Sequence, residues 1–184
     1  MNWHQVSLAS TAAAPWRNGG GTTRELLAWP HGGEWSARIS VADVAASGPF
    51  SSYPGVARWF AVLSGEGVRL RVDGREHVLG RDSQPFSFDG ESATHCELRA
   101  GTTEDFNLML RGREGVLERV HGRQERACRK GSIVGVYSHD HEIVFHAVEV
   151  RIVIPARTLA WNVMPIDEHV DFTTAGALWF EVAP

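Results

Sequence analysis

The sequence has few cysteines and no long apolar run, and these absences exclude several classes of protein. Its two cysteines, Cys96 and Cys128, are isolated, so they form neither a disulfide framework nor a paired-cysteine metal clamp. No stretch approaches the roughly 18 apolar residues that a membrane helix needs, so a membrane protein is not expected. The first residues lack the charged and apolar segments of a signal peptide, and we therefore expect a cytoplasmic protein.

Strong basic character is also lacking. The 18 lysine and arginine residues stand against 22 aspartate and glutamate residues, which gives a formal net charge of −4. No basic stripe stands out along the chain, so a nucleic-acid partner is not expected. The length of 184 residues and the hydrophobic fraction of 43% are ordinary for one globular domain with a sizeable core.

Many short segments carry the alternation of β-strands. Residues 35–41 alternate between apolar and polar side chains, which predicts a half-buried strand. Residues 56–63 (VARWFAVL) are apolar on both faces except Arg58, which predicts a buried strand. Further strands are predicted at residues 85–88, 95–98, 105–110, 116–121, 132–137, 143–154, 158–161 and 177–182.

A hairpin is predicted over residues 68–79. Two alternating runs flank an Asp-Gly dipeptide at residues 73–74, the strongest short signal for a β-hairpin. The register that this turn sets places Arg71 opposite Glu76, which is a favourable cross-strand pair.

The strand pattern predicts an all-β protein. Many short strands separated by turn residues indicate a sandwich or a barrel. A glycine-containing turn at residues 111–115 separates the strands into two halves. We expect a single domain over residues 1–184, built from two fused β sub-barrels at approximately 1–112 and 113–184 in one compact unit.

A glycine-rich segment at residues 15–25 (PWRNGGGTTRE) is the first candidate for ligand binding. Consecutive glycines let the backbone approach a ligand closely, and the flanking side chains supply an aromatic ring, a cation and hydrogen-bonding groups. A tight surface turn is the alternative interpretation. The segment lacks the Gly-Lys-Ser/Thr ending of a nucleotide-binding loop. The candidate ligand-binding residues of the segment are Trp16, Arg17, Asn18, Gly19, Gly20 and Thr22.

Arg58 is the second candidate, because it is the lone charge in an apolar strand. A buried charge needs a partner. Arg58 either forms a structural ion pair with a carboxylate such as Asp43 or Asp105, or it lines a pocket and clamps an anion. The second interpretation follows from the way a guanidinium grips a carboxylate through two parallel hydrogen bonds. Arg38, on the polar face of its strand, is a further candidate for the same role.

Two polar residues of the next motif are also candidate ligand-binding residues. If residues 105–109 (DFNLM) form a strand, Asp105, Asn107 and Met109 share one face. Asp105 and Asn107 then either point into a wet pocket or bind neighbouring backbone, which is the commoner role of such residues.

A cluster of histidines suggests a metal site without predicting one. His139 and His141, with His146 nearby, would share one face if the segment were a strand, but residues 138–142 are polar and resemble a turn. We therefore expect no metal and no cofactor. No Gly-x-Ser-x-Gly elbow is present, and neither cysteine has the sequence context of a nucleophile, so no catalytic constellation is predicted.

Four blocks in order resemble the HutD/Ves family. They are residues 15–25, WSARISVA at 35–42, GPFSSYPGVAR at 48–58 and DFNLM at 105–109. The resemblance runs from about residue 1 to 112 and continues more loosely to the end. It implies a cupin-like double β-barrel, and it places the candidate residues of the glycine-rich segment, both arginines and residues 105–107 within family motifs. The paired-histidine metal motif of cupins is not recognisable in the first barrel.

The resemblance also implies a function. HutD proteins are associated with histidine utilisation as regulators that bind a pathway intermediate such as N-formylglutamate or urocanate, whereas Ves proteins are linked to cold and stress responses. We expect a non-catalytic regulator whose partner is a small carboxylate. The alternatives are a metal-dependent cupin enzyme or a hydrolase acting on a small acid, and a stress-response interaction protein. A homodimer is compatible with sheets of this kind, although no residue indicates one.

Overall fold

The computed structural model describes residues 3–147 and 150–184. In these residues the regular structure is β-strand apart from one short 3-10 helix, Leu8–Ser10, so the all-β prediction is confirmed. The chain divides into two compact units. The central unit is Ala12–Gly112, and the terminal unit consists of the residues up to Thr11 together with Arg113–Pro184. No helix in the described ranges is long and apolar enough to cross a membrane.

The strands of the described residues are numbered in chain order. They are β1 His4–Ser7, β2 Ala14–Pro15, β3 Gly21–Trp29, β4 Ala37–Val44, β5 Gly48–Pro49, β6 Val56–Ser64, β7 Val68–Val72, β8 Arg75–Leu79, β9 Phe86–Asp89, β10 Thr94–Leu98, β11 Thr103–Arg111, β12 Gly115–Cys128, β13 Ile133–Ser138, β14 Ile143–Ala147, β15 Val150–Ile154, β16 Thr158–Val163 and β17 Glu168–Val182. Strands β2 to β11 belong to the central unit, and β1 and β12 to β17 belong to the terminal unit.

Two antiparallel sheets form the central unit. One has six strands in the order β2-β3-β4-β11-β6-β9, and the other has four strands in the order β5-β10-β7-β8. Both contribute to one apolar core, with Val62 from the first sheet packed in the same cluster as Leu70 and Cys96 from the second. Because side chains alternate between the two faces of a strand, residues two apart on the six-stranded sheet share its inner face.

The three strands β4, β11 and β6 set the positions of the candidate residues. Met109 of β11 lies opposite Arg38 of β4 on one side and opposite Arg58 of β6 on the other. Asn107 lies one row further along the same face, opposite Ser40. The sequence-predicted candidates on three separate motifs are therefore brought onto one wall of the central unit.

The hairpin predicted at the Asp-Gly dipeptide is confirmed as β7 and β8. Asp73 and Gly74 have positive φ angles of 47° and 80°, as a two-residue turn between right-twisted strands requires. Arg71 lies opposite Glu76, as the register predicts. The ion pair of Glu76 is nevertheless made with Arg69, diagonally across the strands at 3.1 Å.

Several strands differ in extent from the predictions. Residues 143–154, predicted as one strand, form β14 and β15, which pair antiparallel with Ile143 opposite Ile154. Residues 148–149 of that prediction lie outside the described residues. Strands β12 and β17 have 14 and 15 residues, more than predicted, because they pair with each other over most of their length. Backbone pairing with a neighbouring strand extends a strand through polar stretches in which the sequence alone does not predict β-structure.

The terminal unit has one sheet, in the order β1-β16-β13-β17-β14-β15, with β12 paired to β17. Its core is apolar. The rings of Phe145, Phe172 and Trp179 stack in series, with centroids 5.5 and 5.8 Å apart. Aromatic packing of this kind fills the interior, as expected of a buried sheet face.

Candidate functional site

The central unit contains a cavity of about 470 Å³. Its wall comes from the inner face of β4, β6 and β11, from the turn between β2 and β3, and from residues 49–53. A cavity of this size suits a small molecule, and such pockets are lined mainly by apolar groups with a few placed polar ones. The cavity is therefore the candidate ligand site.

The wall of the cavity contains three arginines and, among the described residues, no acidic residue. Arg17, Arg38 and Arg58 line it, whereas no aspartate or glutamate of the described residues does. The whole chain has a net charge of −4, so this local excess is not a reflection of overall composition. The wall also contains aromatic and neutral polar side chains. They are those of Trp16, Phe50, Tyr53, Phe60, Asn18, Asn107, Thr23, Ser40 and Ser51.

Arg58 is the most buried of the three arginines, with 7% of its surface exposed. Its guanidinium carbon lies over the rings of Phe50, Tyr53 and Phe88, at 5.2, 5.5 and 5.0 Å from their centroids. Its Nη1 donates a long hydrogen bond of 3.4 Å to the carbonyl of Ser51, and its Nε is buried without a hydrogen-bond partner. Burial lowers the pKa of Arg58 to about 10, which leaves the group charged at neutral pH.

The structural ion pair considered for Arg58 is not formed. Asp43 pairs with Arg24 at 2.6 Å instead. Asp105 accepts a hydrogen bond from the Thr103 hydroxyl at 2.7 Å. Within the part of the chain that the structure describes, no carboxylate lies within ion-pair distance of Arg58. A buried cation without an acidic partner is costly unless another anion binds it.

Arg38 lies in the same row across the sheet as Arg58, but its charge is already neutralised by an ion pair. Its Nε donates to Glu25 Oε2 at 2.6 Å, and its Nη1 lies 3.7 Å from the sulfur of Met109. Glu25 comes from β3 and does not line the cavity. Arg38 therefore contributes less unbalanced charge to the site than Arg58 does.

The glycine-rich segment forms a tight turn that leads into β3. The Trp16 amide donates to the Gly21 carbonyl at 2.9 Å, and the Gly19 amide donates to the Trp16 carbonyl at 3.0 Å. Gly19 has a positive φ of 71°, which favours glycine. The Gly20 amide donates to the side chain of Asn18 at 3.0 Å. The surface-turn interpretation therefore describes the backbone correctly.

Three of the six candidate residues in that segment line the cavity. They are Trp16, Arg17 and Asn18. Gly19 and Gly20 form the turn itself and lie outside the lining. The hydroxyl of Thr22 donates to Asp43 at 3.0 Å and also lies outside it, whereas the neighbouring Thr23 lines the cavity. The β2–β3 turn therefore forms part of the cavity wall.

The two candidates on β11 differ in position although they share a face. Asn107 lines the cavity, but Asp105 does not and is fully buried. Asp105 lies two residues further along the strand, between Ala42 and Val62 of the neighbouring strands. Burial raises its pKa to about 7, against the lowering effect of the Thr103 hydrogen bond. We therefore leave Asp105 out of the proposed binding site.

The sequence analysis missed the residues that surround the Arg58 guanidinium. Phe50 and Tyr53 lie between β5 and β6, in a segment without regular structure, and Phe88 lies on β9 beside Arg58. The available signal was the 48–58 block, in which two aromatic residues precede Arg58 by eight and five positions. Because strand periodicity says nothing about loop residues, this spacing could not predict that the two rings contact the Arg58 guanidinium.

The histidine cluster is not assembled into a metal site. In residues 3–147 and 150–184, no group of three or more His, Cys, Asp or Glu side chains is arranged to hold a metal ion. His139 lies 3.6 Å from Asp140, at the end of β13. Both cysteines are free, and burial raises the pKa of Cys96 and of Cys128 to about 12. These thiols stay protonated at neutral pH and are poor nucleophiles.

Comparison with known proteins gives a family match over nearly the whole chain. Residues 8–179 match the HutD family. A 21.2 kDa protein in the hutC 3′ region of Pseudomonas putida is 41% identical over 99 residues, which cover 52% of this chain and 51% of the relative. Protein Ves of Cronobacter sakazakii is 42% identical over 98 residues, which cover 52% and 54%. The chain thus matches about half the length of each of these relatives.

Solved structures match over almost the full length. HutD from Pseudomonas fluorescens SBW25 superposes with a TM-score of 0.86 at 26% identity and covers 99% of this chain and 98% of its own. A cupin 2 conserved barrel domain protein from Leptotrichia buccalis superposes with a TM-score of 0.61 at 8% identity, covering 97% and 95%. The second likeness concerns the fold alone. Together they confirm the predicted cupin-like β-barrel fold.

Proposed function

This chain belongs to the HutD family, and from that premise we propose that it is a non-catalytic protein that binds a small carboxylate and regulates histidine utilisation. The observation that supports the binding most strongly is Arg58. It is a buried guanidinium with no acidic partner in the described residues, and it lines a cavity with no acid in its wall. A bound carboxylate accepts two hydrogen bonds from such a group and offsets the cost of burying its charge.

The other lining residues have supporting roles in this proposal. The Asn107 amide, one row from Arg58, orients a polar group of the ligand. Trp16, Arg17 and Asn18 close the side of the cavity formed by the β2–β3 turn. The rings around Arg58 hold its guanidinium in place, so little side-chain freedom is lost when the anion binds.

The pathway assignment rests on the relatives. The Pseudomonas putida relative lies in the hutC 3′ region, and the Pseudomonas fluorescens structure is named HutD. N-formylglutamate and urocanate, both intermediates of histidine breakdown, carry the carboxylate that the site requires. We place the protein in the cytoplasm, where two buried free thiols such as those of this chain stay reduced.

Calorimetric titration with N-formylglutamate, urocanate and glutamate tests this function. The comparison uses the unmodified protein, Arg58→Met and Arg111→Met. Arg111 is a matched control, because its guanidinium also lies over an aromatic ring, that of Trp35 at 4.9 Å, but outside the cavity. Methionine keeps the unbranched, flexible stem of the side chain, ends about where the guanidinium begins, and removes the charge.

We expect one of the three acids to bind with saturation, and we expect Arg58→Met to weaken that binding at least about 100-fold. Arg111→Met should bind as the unmodified protein does. Equal affinity in the unmodified protein and in a folded Arg58→Met variant would overturn the assignment of the site. Absence of binding by all three acids would overturn the pathway assignment.

A further inference from the structure

The cavity has two chemically different ends. One end is the row that holds Arg38 and Arg58. The other end is lined by Ala42 and Val44 of β4 and by the β2–β3 turn, which contributes the indole of Trp16 and the exposed Arg17 and Asn18. Ala42 lies four residues beyond Arg38 on β4, a distance of about 13–14 Å along an extended strand. A ligand that fills the cavity therefore meets the two strand arginines at one end and, at the other, an apolar wall with the Trp16 indole, beside the exposed Arg17 and Asn18.

The indole of Trp16 is fixed at the apolar end. Its Nε1 donates a hydrogen bond of 2.7 Å to the hydroxyl of Thr23. Thr23 pairs with Ala42 in the sheet, which ties the ring to the β3–β4 ladder. The ring also lies close against Gly21, where a Cβ would come within 3.2 Å of two of its carbons. Glycine at this position lets the ring lie flat against the strand.

The turn that carries Trp16 is held at both ends as well. Besides the hydrogen bonds within the turn, the Gly20 carbonyl accepts from the amides of Ala45 and Ala46, at 2.8 and 3.1 Å. With its Nε1 already bonded to Thr23, the indole offers the cavity an aromatic surface and no free donor. A surface of this kind distinguishes ligands by shape and flatness rather than by hydrogen bonding.

We propose that Trp16 is a specificity-determining residue that selects acids carrying a flat, uncharged ring, with the carboxylate on Arg58 and the ring against the indole. This inference rests on the proposed function, because it assumes that Arg58 binds the carboxylate. Ser40 and Asn107 lie between the two ends and hydrogen-bond the middle of the ligand. The ligand class is thus an acid joined by a short linker to a planar ring.

Two matched acids test the inference. 3-Phenylpropionate and 3-cyclohexylpropionate have the same carboxylate and the same linker, but one ring is flat and the other is puckered. The puckered ring is the more hydrophobic of the two, so simple partitioning into an apolar wall favours it. Stacking on a fixed indole favours the flat ring instead. The sign of the preference therefore separates the two explanations.

Dissociation constants are measured for both acids and for acetate, which carries the carboxylate alone. The proteins are the unmodified chain, Arg58→Met, Trp16→Leu, Trp16→Phe and, as a control outside the cavity, Trp35→Leu. We expect the unmodified protein to bind 3-phenylpropionate about threefold to tenfold more tightly than 3-cyclohexylpropionate. Trp16→Leu should lose or reverse this preference, Trp16→Phe should keep most of it, and Trp35→Leu should keep all of it. Acetate carries no ring, so it reports on the anion site in each variant independently of the indole.

The outcomes separate failure of the inference from failure of the proposed function. If acetate binds through Arg58 but the cyclohexyl acid binds as well as the phenyl acid, the anion site stands and the role of Trp16 is wrong. A preference for the flat ring that survives in Trp16→Leu overturns the inference in the same way. If neither acetate nor either longer acid binds, the inference is wrong, and the titration with N-formylglutamate, urocanate and glutamate decides the proposed function separately.

Discussion

Arg38 and Arg58 lie on either side of Met109 in one row across three strands, so two guanidinium side chains share one wall of the cavity. They differ in their partners. Arg38 is paired with Glu25 at 2.6 Å, whereas Arg58 is stacked among aromatic rings. After burial itself, the positive charge of Arg38 is among the effects that lower the pKa of Arg58. A carboxylate bound at this row relieves the repulsion between the two cations.

Removing the charge of Glu25 should strengthen anion binding. In Glu25→Gln the guanidinium of Arg38 loses its carboxylate partner, and its charge becomes available to a ligand in the cavity. Because the pair is partly exposed, we expect a gain of about twofold to fivefold in affinity for an acid. Titration calorimetry at low ionic strength measures it. Glu34→Gln, which removes a carboxylate 3.8 Å from Arg111, is the control, and equal gains in both variants would contradict the local explanation.

Arg58→Met should stabilise the protein in the absence of ligand. The substitution removes a buried charge that has no acidic partner among the described residues, and it leaves an apolar side chain among three aromatic rings. The lost cation–π contacts oppose this gain, so we expect a net increase of about 1 kcal/mol in the free energy of unfolding. Urea denaturation of both proteins measures the change. A loss of several kcal/mol would mean that Arg58 is a structural residue.

Asp105 should make stability fall as the pH rises towards neutrality. Burial raises its pKa to about 7 in the folded protein, well above the ordinary value of an aspartate. Between that ordinary value and about pH 7 the folded state holds a proton that the unfolded state has lost. The contribution is therefore fully present at acidic pH and is lost as the pH rises through about 7, with a slope of at most about 1.4 kcal/mol per pH unit.

Asp105→Asn tests this assignment. The groups near Asp105 are the Thr103 hydroxyl, the Cys96 thiol and the carboxylates of Glu104 and Asp43. The amide keeps an oxygen for the Thr103 hydrogen bond and removes the titration. Free energies of unfolding measured from pH 5 to 8 should therefore lose this slope in Asp105→Asn and keep it in the control, Glu91→Gln, which removes an exposed carboxylate. An unchanged slope in Asp105→Asn would assign the pH dependence to another group.

Gly21→Ala and Gly20→Ala should differ sharply. A Cβ on Gly21 collides with the Asp43 carbonyl and comes within 3.2 Å of the Trp16 ring, whereas a Cβ on Gly20 meets only the Asn18 side chain, at 3.3 Å. We expect Gly21→Ala to cost about 1–3 kcal/mol of stability and to weaken ligand binding, because the indole must shift. Gly20→Ala should change both by little. Thermal unfolding and titration of the two variants provide the comparison, and equal effects would show that the packing of Trp16 on β3 is unimportant.

The local pattern of apolar, polar and turn residues was sufficient to predict much of the fold. The Asp-Gly turn fixed the register of β7 and β8, since the side chains of a two-residue hairpin can pair in one way only. It did not determine which arginine reaches Glu76, because long side chains on a twisted hairpin also contact diagonal neighbours. The boundary between β14 and β15 was missed, since the sequence from 143 to 154 contains no glycine, proline or asparagine to mark a turn.

The candidate site was predictable to the extent that it lies on strands. Arg58 stood out as a lone charge in an apolar strand, and Asn107 was placed on the correct face. Alternation gives the face of a residue but not its depth along the barrel, so Asp105 and Asn107 were indistinguishable before the structure was known. The partners of Arg38 and Arg58 depend on the bulge in β3 and on an irregular loop, neither of which leaves a periodic signal.

The central claim is that a ligand carboxylate contacts the Arg58 guanidinium, and the NMR signal of the Arg58 Nε–H group measures this contact directly. This group is buried and has no hydrogen-bond partner among the described residues, and the guanidinium to which it belongs lines the cavity, so a carboxylate bound to that guanidinium changes its surroundings. Titration with the tightest-binding acid should shift the proton resonance of Arg58 Nε–H in proportion to occupancy, while that of Arg111 stays in place. An acid that saturates the protein without moving the Arg58 signal would contradict the account.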